Sequence, residues 1–248
     1  MSIASFSKNA SILKSIIVIC CLSFTLLLNA TAQPFSDDRF TGFVVDSKKQ
    51  NIGFFWKDDG GVLISGFENL KQHLKSKGSE LVFAMNGGMY QRDYSPVGLF
   101  IDKGKTLFKL NKKSGEANFY LKPNGVFYLT SDRKANVVVT EKFKASSKVH
   151  YATQSGPMLV IEDVIHPSFR KGSENLNIRN GVGILPDGKV LMAISKVPVN
   201  LYDFALYFKN AGCENALYLD GFVSRIYDPS RNMLSGDEKF GVMIGVYK

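Results

Sequence analysis

The chain has 248 residues, 45% of them hydrophobic, and a formal net charge of +9. That length allows one large domain with a sizeable core, and no low-complexity run, fixed-period repeat or Pro/Ser-rich linker divides it. The basic residues are scattered, with no run of the kind a nucleic-acid-binding arm needs, so the charge favours anionic surfaces or substrates in general.

Lys8 and Lys14 flank the start of an apolar stretch, Ser15 to Leu28, that is too short to span a bilayer comfortably. Ala30-Thr31-Ala32 then supplies a small-x-small cleavage signal. Residues 1–32 therefore read as a signal peptide and residues 33–248 as the mature domain; an uncleaved anchor is the bland alternative. A lipoprotein is disfavoured, because Cys20 and Cys21 lie within the apolar core behind Val18-Ile19. The expectation is an exported protein, periplasmic or secreted, with no stable membrane span after cleavage. Cys213 is then the single cysteine, which rules out an intramolecular disulfide. Its place between Gly212 and Glu214, at an expected helix end, suits a structural thiol with a raised pKa.

In chain order, Phe40 to Val45 and Ile52 to Trp56 read as an opening hairpin. Phe67, Leu70 and Leu74 recur at helical spacing through a lysine-rich segment that stops at Gly78, predicting an amphipathic helix over 67–77. Leu81 to Met85 is an apolar strand, and Val97 to Ile101 with Asp102-Lys103-Gly104 is a strand and turn. Asn118 to Leu121 and Val126 to Leu129 read as a hairpin about Asn124-Gly125. Val182 to Leu185 and Val190 to Ile194 form another about Pro186-Asp187-Gly188. Asn200 with Asp203 resembles a capping box, and Leu201, Phe204, Ala205 and Phe208 make an apolar stripe that predicts a helix over 201–211 with Gly212 beyond its end. Strands follow at 216–219 and 242–247. The fold class expected is α+β: a single domain with a mixed or antiparallel sheet core and two or three helices.

Four of these strands meet a small or glycine residue beside one polar side chain. Asn86-Gly87-Gly88 closes the first, Ser155-Gly156-Pro157 precedes Met158-Leu159-Val160, Arg179-Asn180-Gly181 opens Val182-Gly183-Ile184, and Asp220-Gly221 closes Ala216 to Leu219. Glycine there allows close approach of backbone or ligand, and four such junctions suggest a site assembled from strand ends. Arg179 presents a planar fork suited to an oxyanion, or else a surface ion pair. Asp220 is a carboxylate at a strand end, able to serve as nucleophile, base or stabiliser of positive charge, or else to cap its own turn. Asn86 can donate an amide N–H to a substrate oxygen, or else simply turn the chain.

Other chemistries lack support. His73, His150 and His166 share no metal-ligand spacing, Ser155 lacks a G-x-S-x-G elbow, and neither a P-loop nor a G-x-G-x-x-G is present. No cofactor is expected. A hard cation such as calcium stays compatible with a carboxylate beside backbone carbonyls, but no loop of acidic residues supports one.

Taken in order, NGG at 86–88, SGP with its apolar strand at 155–160, R-x-G-x-G at 179–183 and LDG-x-x-S at 219–224 resemble the phosphodiester glycosidase domain. That family includes the catalytic domain of the mannose-6-phosphate uncovering enzyme and many exported bacterial proteins. The resemblance spans about residues 80 to 247. It implies an exported hydrolase that cleaves a sugar-1-phosphodiester in an envelope or extracellular glycan. It further implies catalytic roles for Asp220, Arg179 and Asn86, and substrate binding by Gly87, Gly88, Ser155, Gly156, Gly221 and Ser224. The implied partner is a phosphorylated glycan, with no nucleic acid. The pattern departs from the family at Phe222-Val223, where two glycines are usual, and at Met89-Tyr90 after NGG. The rival expectation is a non-catalytic phosphoglycan-binding protein, for instance in exopolysaccharide assembly; a third is a structural envelope protein without a cleft.

Overall fold

The computed structural model describes residues 37–220, 223–235 and 239–248. The signal-peptide reading and Gly221 lie outside the described residues. In chain order the elements are β1 (Phe40–Val45), β2 (Asn51–Phe55), α1 (Phe67–Ser76), β3 (Leu81–Asn86), β4 (Phe100–Asp102) and β5 (Lys105–Phe108). Next come β6 (Gly125–Thr130), β7 (Ala135–Val139), β8 (Val149–Ser155), β9 (Met158–Ile161), β10 (Val164–Ile165) and β11 (Asn180–Ile184). β12 (Val190–Ser195), α2 (Leu201–Asn210), β13 (Ala216–Asp220), β14 (Ile226–Asp228), β15 (Met233–Leu234) and β16 (Met243–Tyr247) follow.

The strands form three sheets, in the orders β1-β12-β11-β13-β9-β10, β15-β14-β3-β16-β2 and β5-β4-β8-β6-β7. Every ladder among the described residues is antiparallel. With two α-helices among the described residues, the fold is α+β but dominated by its sheets. The three sheets share one apolar core, to which Val182, Met192 and Leu217 come from the first, Phe83 and Ile244 from the second, and Phe100 and Phe127 from the third.

The first sheet is covered on both faces, which explains why β12 is buried at every position. Val190, Met192 and Ile194 face the central core, whereas Leu191 and Ala193 face α2 with Phe204 and Phe208. Gly181 and Gly183 belong to the helix side. A Cβ at Gly183 would meet Cys213 Sγ at 2.7 Å and Phe208 Cδ1 at 2.8 Å, so this glycine makes room for the helix and not for a ligand. Cys213 is fully buried beneath α2, and burial pushes its thiol up to about 12. Helix α1 covers the second sheet in the same manner, with Phe67, Leu70 and Leu74 packed on Leu81, Ala84 and Met243.

The 182–194 hairpin forms as expected, as do the two helices. Two other expected hairpins do not. β1 pairs with β12 and β2 with β16, because the turn after Val45 carries the chain from one sheet to another. Each strand finds its partner among long apolar strands far along the chain. Asn118–Tyr120 is a 3₁₀ turn, and β6 pairs instead with β7 and β8. Asn124 is buried, and its amide donates to the Phe119 carbonyl at 2.9 Å. The Asn-Gly pair thus anchors the preceding turn instead of reversing the chain.

Asn200 caps α2: its Oδ1 accepts the Asp203 N–H at 2.8 Å. The reciprocal half of the box is missing, since Asp203 accepts from Arg39 at 2.8 Å. Asn200→Ala should lower stability by about 1 kcal/mol, read as a shifted urea midpoint at unchanged slope.

Candidate functional site

The ends of β3, β8, β11 and β13 converge, and three buried side chains tie the sheets together there. Asn180 Nδ2 donates to both the backbone carbonyl and Oδ1 of Asn86, each at 2.8 Å, joining the first sheet to the second. Ser155 Oγ donates to the Leu219 carbonyl at 2.7 Å, joining the third to the first. Thr153 Oγ1 donates to the Gly87 carbonyl at 3.0 Å, joining the third to the second. Sequence reasoning had passed over Thr153, and Asn180 other than as a spacer in R-x-G-x-G. An amide with both a donor and an acceptor at a strand end was the available signal.

Asn180 is the hub. Its Oδ1 accepts the Asp220 N–H at 3.0 Å and the Ser224 hydroxyl at 3.4 Å. A register shift between Asn180 and Gly181 sets Asn180 opposite Asp220 and Gly181 opposite Tyr218. The residue skipped is Leu219, whose carbonyl is the one that takes Ser155. Such bulges re-aim side chains at the expense of ladder bonds. Ser224 Oγ also donates to the Asp220 carbonyl. Asn86 Oδ1 accepts a second bond, from the Arg225 N–H at 2.9 Å, while its Nδ2 is buried with no hydrogen-bond partner.

Asp220 opens onto a cleft of about 550 Å³, a size suited to a small ligand. Tyr90, Phe119 and Tyr120 supply aromatic walls; Gln91, Asn111 and Lys113 supply polar ones. Among the described residues Asp220 is the one carboxylate lining it, and Lys113 the one cation. Gln154 positions this rim. Its Oε1 accepts the N–H groups of Leu99 and Asn111 at 3.0 and 2.9 Å, and its Nε2 donates to the Asn111 carbonyl at 2.7 Å. A larger groove, about 1030 Å³, is lined by none of Asn86, Arg179 and Asp220.

Arg179 does not line the cleft that Asp220 lines. It is buried, and its guanidinium donates from Nε to the Val199 carbonyl at 2.7 Å. Nη1 donates to Tyr218 Oη at 2.8 Å, and Nη2 to the carbonyl and Oδ1 of Asn175 at 2.8 and 3.2 Å. Neither a surface ion pair nor a cation facing Asp220 describes it. The glycines also differ from expectation. The space a Cβ would fill is taken at Gly87 by Ile244, at Gly88 by Thr153 and at Gly156 by Asn124, while the Gly87 N–H is spent on the Val242 carbonyl at 2.7 Å. They let protein approach protein. Ser155 and Ser224 are likewise buried in internal bonds.

No three His, Cys, Asp or Glu side chains among the described residues cluster as metal ligands, and no helix among them is long and apolar enough to cross a membrane. His166 is held neutral. Its Nε2 lies 3.1 Å from the Lys122 carbonyl and Nδ1 accepts the Ser168 N–H at 3.2 Å, which makes Nε2 the protonated nitrogen.

The family model for phosphodiester glycosidase matches residues 79–247. The uncharacterised protein YigE of Escherichia coli is 37% identical over 195 residues, covering 77% of this chain and 76% of its own. Among solved structures, the catalytic domain of zebrafish N-acetylglucosamine-1-phosphodiester alpha-N-acetylglucosaminidase, auto-inhibited by its pro-peptide, aligns with a TM-score of 0.60. Identity to it is 13%, over 88% of this chain and 85% of that one. A hypothetical protein from Synechocystis aligns with a TM-score of 0.51 at 12% identity, over 84% of this chain and 59% of that one. At such identities the two structures speak for the fold alone.

Two outcomes test this geometry. Replacing Asn180 with Ala leaves the Asn86 Oδ1 and Asp220 N–H groups each short of a buried partner, so unfolding free energy should fall by about 2–4 kcal/mol; Asn180→Asp, which sets a carboxylate against the Asn86 oxygens, should cost at least as much. Burial holds the His166 imidazole below its ordinary value of 6.5. The unfolded chain then binds the extra proton first, so this contribution is intact above that value and is lost as pH falls below it. Melting temperature in wild type should therefore drop between pH 6.5 and 5 more steeply than in His166→Gln.

Proposed function

The chain belongs to the phosphodiester glycosidase family, and on that premise we propose that it hydrolyses a sugar-1-phosphodiester in the Asp220 cleft. One observation carries the reading: among the described residues the cleft offers one carboxylate, a lysine and an aromatic wall. Ordinary glycosidases need two carboxylates, one of them to protonate a poor leaving group. A phosphate leaves from the anomeric carbon without a strongly tuned acid. What remains to be supplied is negative charge beside the oxocarbenium-like centre, which is the role of Asp220, and positive charge for the departing phosphate, which is the role of Lys113. Tyr90, Phe119 and Tyr120 give the sugar ring apolar faces to lie against. Asn86 is buried and is not among the residues lining the cleft, so its part is positional, holding Asn180 and the Arg225 N–H.

The roles of the other strand-end residues become positional. Asn180, Ser155 and Ser224 hold the β13 end, and Arg179 anchors Tyr218, two residues before Asp220. The substrate class is a phosphorylated glycan of the envelope or extracellular space, reached by export through the segment at 1–32.

Val223 lines the cleft next to Asp220, at a position where the family usually has glycine. This favours, as a second reading, a phosphoglycan-binding protein that uses the same cleft without turnover. Hydrolysis of a chromogenic glycosyl-1-phosphodiester separates the two. Asp220→Asn should reduce kcat about a thousandfold, and Lys113→Ala should mainly raise KM. Full turnover by Asp220→Asn would sink the catalytic assignment, whereas saturable binding with no turnover in wild type would establish the binder.

A further inference from the structure

Arg179 is a buried cation whose partners are all neutral. Its four hydrogen bonds end on two carbonyls, a phenol and an amide oxygen, and the Tyr218 ring lies 5.4 Å from its centre. No ion pair among the described residues involves it. Burying a guanidinium is costly unless a negative charge accompanies it, and hydrogen bonds to neutral acceptors supply geometry but no net charge. Its fork also has five N–H groups, so one donor is left over.

Arg179 lines a cavity of about 200 Å³, together with Asn118, Ser168, Arg170, Ser173 and Tyr202. Among the described residues this lining carries a second arginine, hydroxyl and amide groups beside the apolar Leu121, Phe169 and Leu201, and no carboxylate. The cavity is separate from the cleft but adjoins it: Asn118 lines the cavity, while Phe119 and Tyr120 of the same 3₁₀ turn line the cleft. Its outer wall is rigid, because His166 ties the segment before Ser168 to Lys122 and stacks on Phe169 at 4.7 Å.

We propose that this cavity is a binding site for a phosphate-class oxyanion, which supplies the counter-charge that Arg179 lacks. Arg179 presents its remaining N–H from below, Arg170 adds positive charge at the rim, and the Ser168 and Ser173 hydroxyls serve as neutral donors. Arginine suits such a site because its fork matches tetrahedral oxyanions and its charge is permanent. The site does not require that the cleft be catalytic.

The test is binding of inorganic phosphate by the whole protein, followed by calorimetry and by thermal unfolding against sodium chloride of equal ionic strength. Wild type should bind phosphate saturably and gain thermal stability beyond the chloride control. Arg170→Ala, at the exposed rim, should weaken binding about tenfold with its fold intact. Arg179→Gln, checked for native circular dichroism, should lose binding altogether. A glucose 1-phosphate arm identifies the source of the oxyanion: affinity equal to that of phosphate marks a free ion, and tighter affinity with the same dependence on Arg170 marks a phosphate carried on a sugar. Absence of phosphate binding in wild type, or equal affinity in wild type and Arg170→Ala, overturns the proposal. Because the readout is binding, its failure leaves the reading of Asp220 untouched, and loss of turnover in Asp220→Asn says nothing about this cavity.

Discussion

The structure depends on three hydrogen bonds made by Asn180, Ser155 and Thr153, one between each pair of sheets. Each is buried, and each ends on a backbone carbonyl that would otherwise face the interior without a partner. Such a group costs more when stranded than its bond contributes when made. The sheets are consequently tied at the strand ends. The turn that carries Asp220 is held from both sides, by Asn180 on its N–H and by Ser224 on its carbonyl. A carboxylate placed in this way has its position set by the meeting of three sheets, and not by a flexible loop.

Strand alternation divides the labour of neighbouring residues. Asn180 and Arg179 are adjacent in β11 and its approach, and they project to opposite faces. Asn180 reaches inward to Asn86, while Arg179 joins Tyr218 on the side covered by α2. The inward residue organises the inter-sheet joint, and the outward one anchors the strand that ends in Asp220. Gly181 and Gly183 are small because Phe204 and Phe208 occupy the space beside them. The glycine pattern of this segment thus records helix packing.

Two recesses flank the 3₁₀ turn at Asn118–Tyr120, one carrying Asp220 and the other Arg179. Opposite charges are kept in separate compartments. Asp220 lines an aromatic cleft, and Arg179 lines a small cavity of mixed polar and apolar character. Tyr218, whose phenol burial pushes up to about 12 and therefore keeps protonated at neutral pH, stands between them.

Much of this was legible locally. The two helices follow from apolar spacing and end signals, the 182–194 hairpin from Pro-Asp-Gly, and the structural thiol from the place of Cys213 at a helix end, although burial and not Glu214 raises its pKa. The ordered motifs identified the family and marked Asn86, Arg179 and Asp220 as belonging to one region. Pairing was not legible. β1 and β2 looked like a hairpin, and Asn124-Gly125 like the turn of a second one between 118–121 and 126–129, because local patterns register turn chemistry but not which distant apolar strand a segment will join. Nor could spacing tell that Arg179 and Asp220 open onto different recesses, or that Asn180 is the hub. The sequence by itself determined the elements, the family and the cluster of strand ends. Tertiary structure alone decided which side chains meet there, because hydrogen-bond partners and burial are set by contacts between residues far apart along the chain.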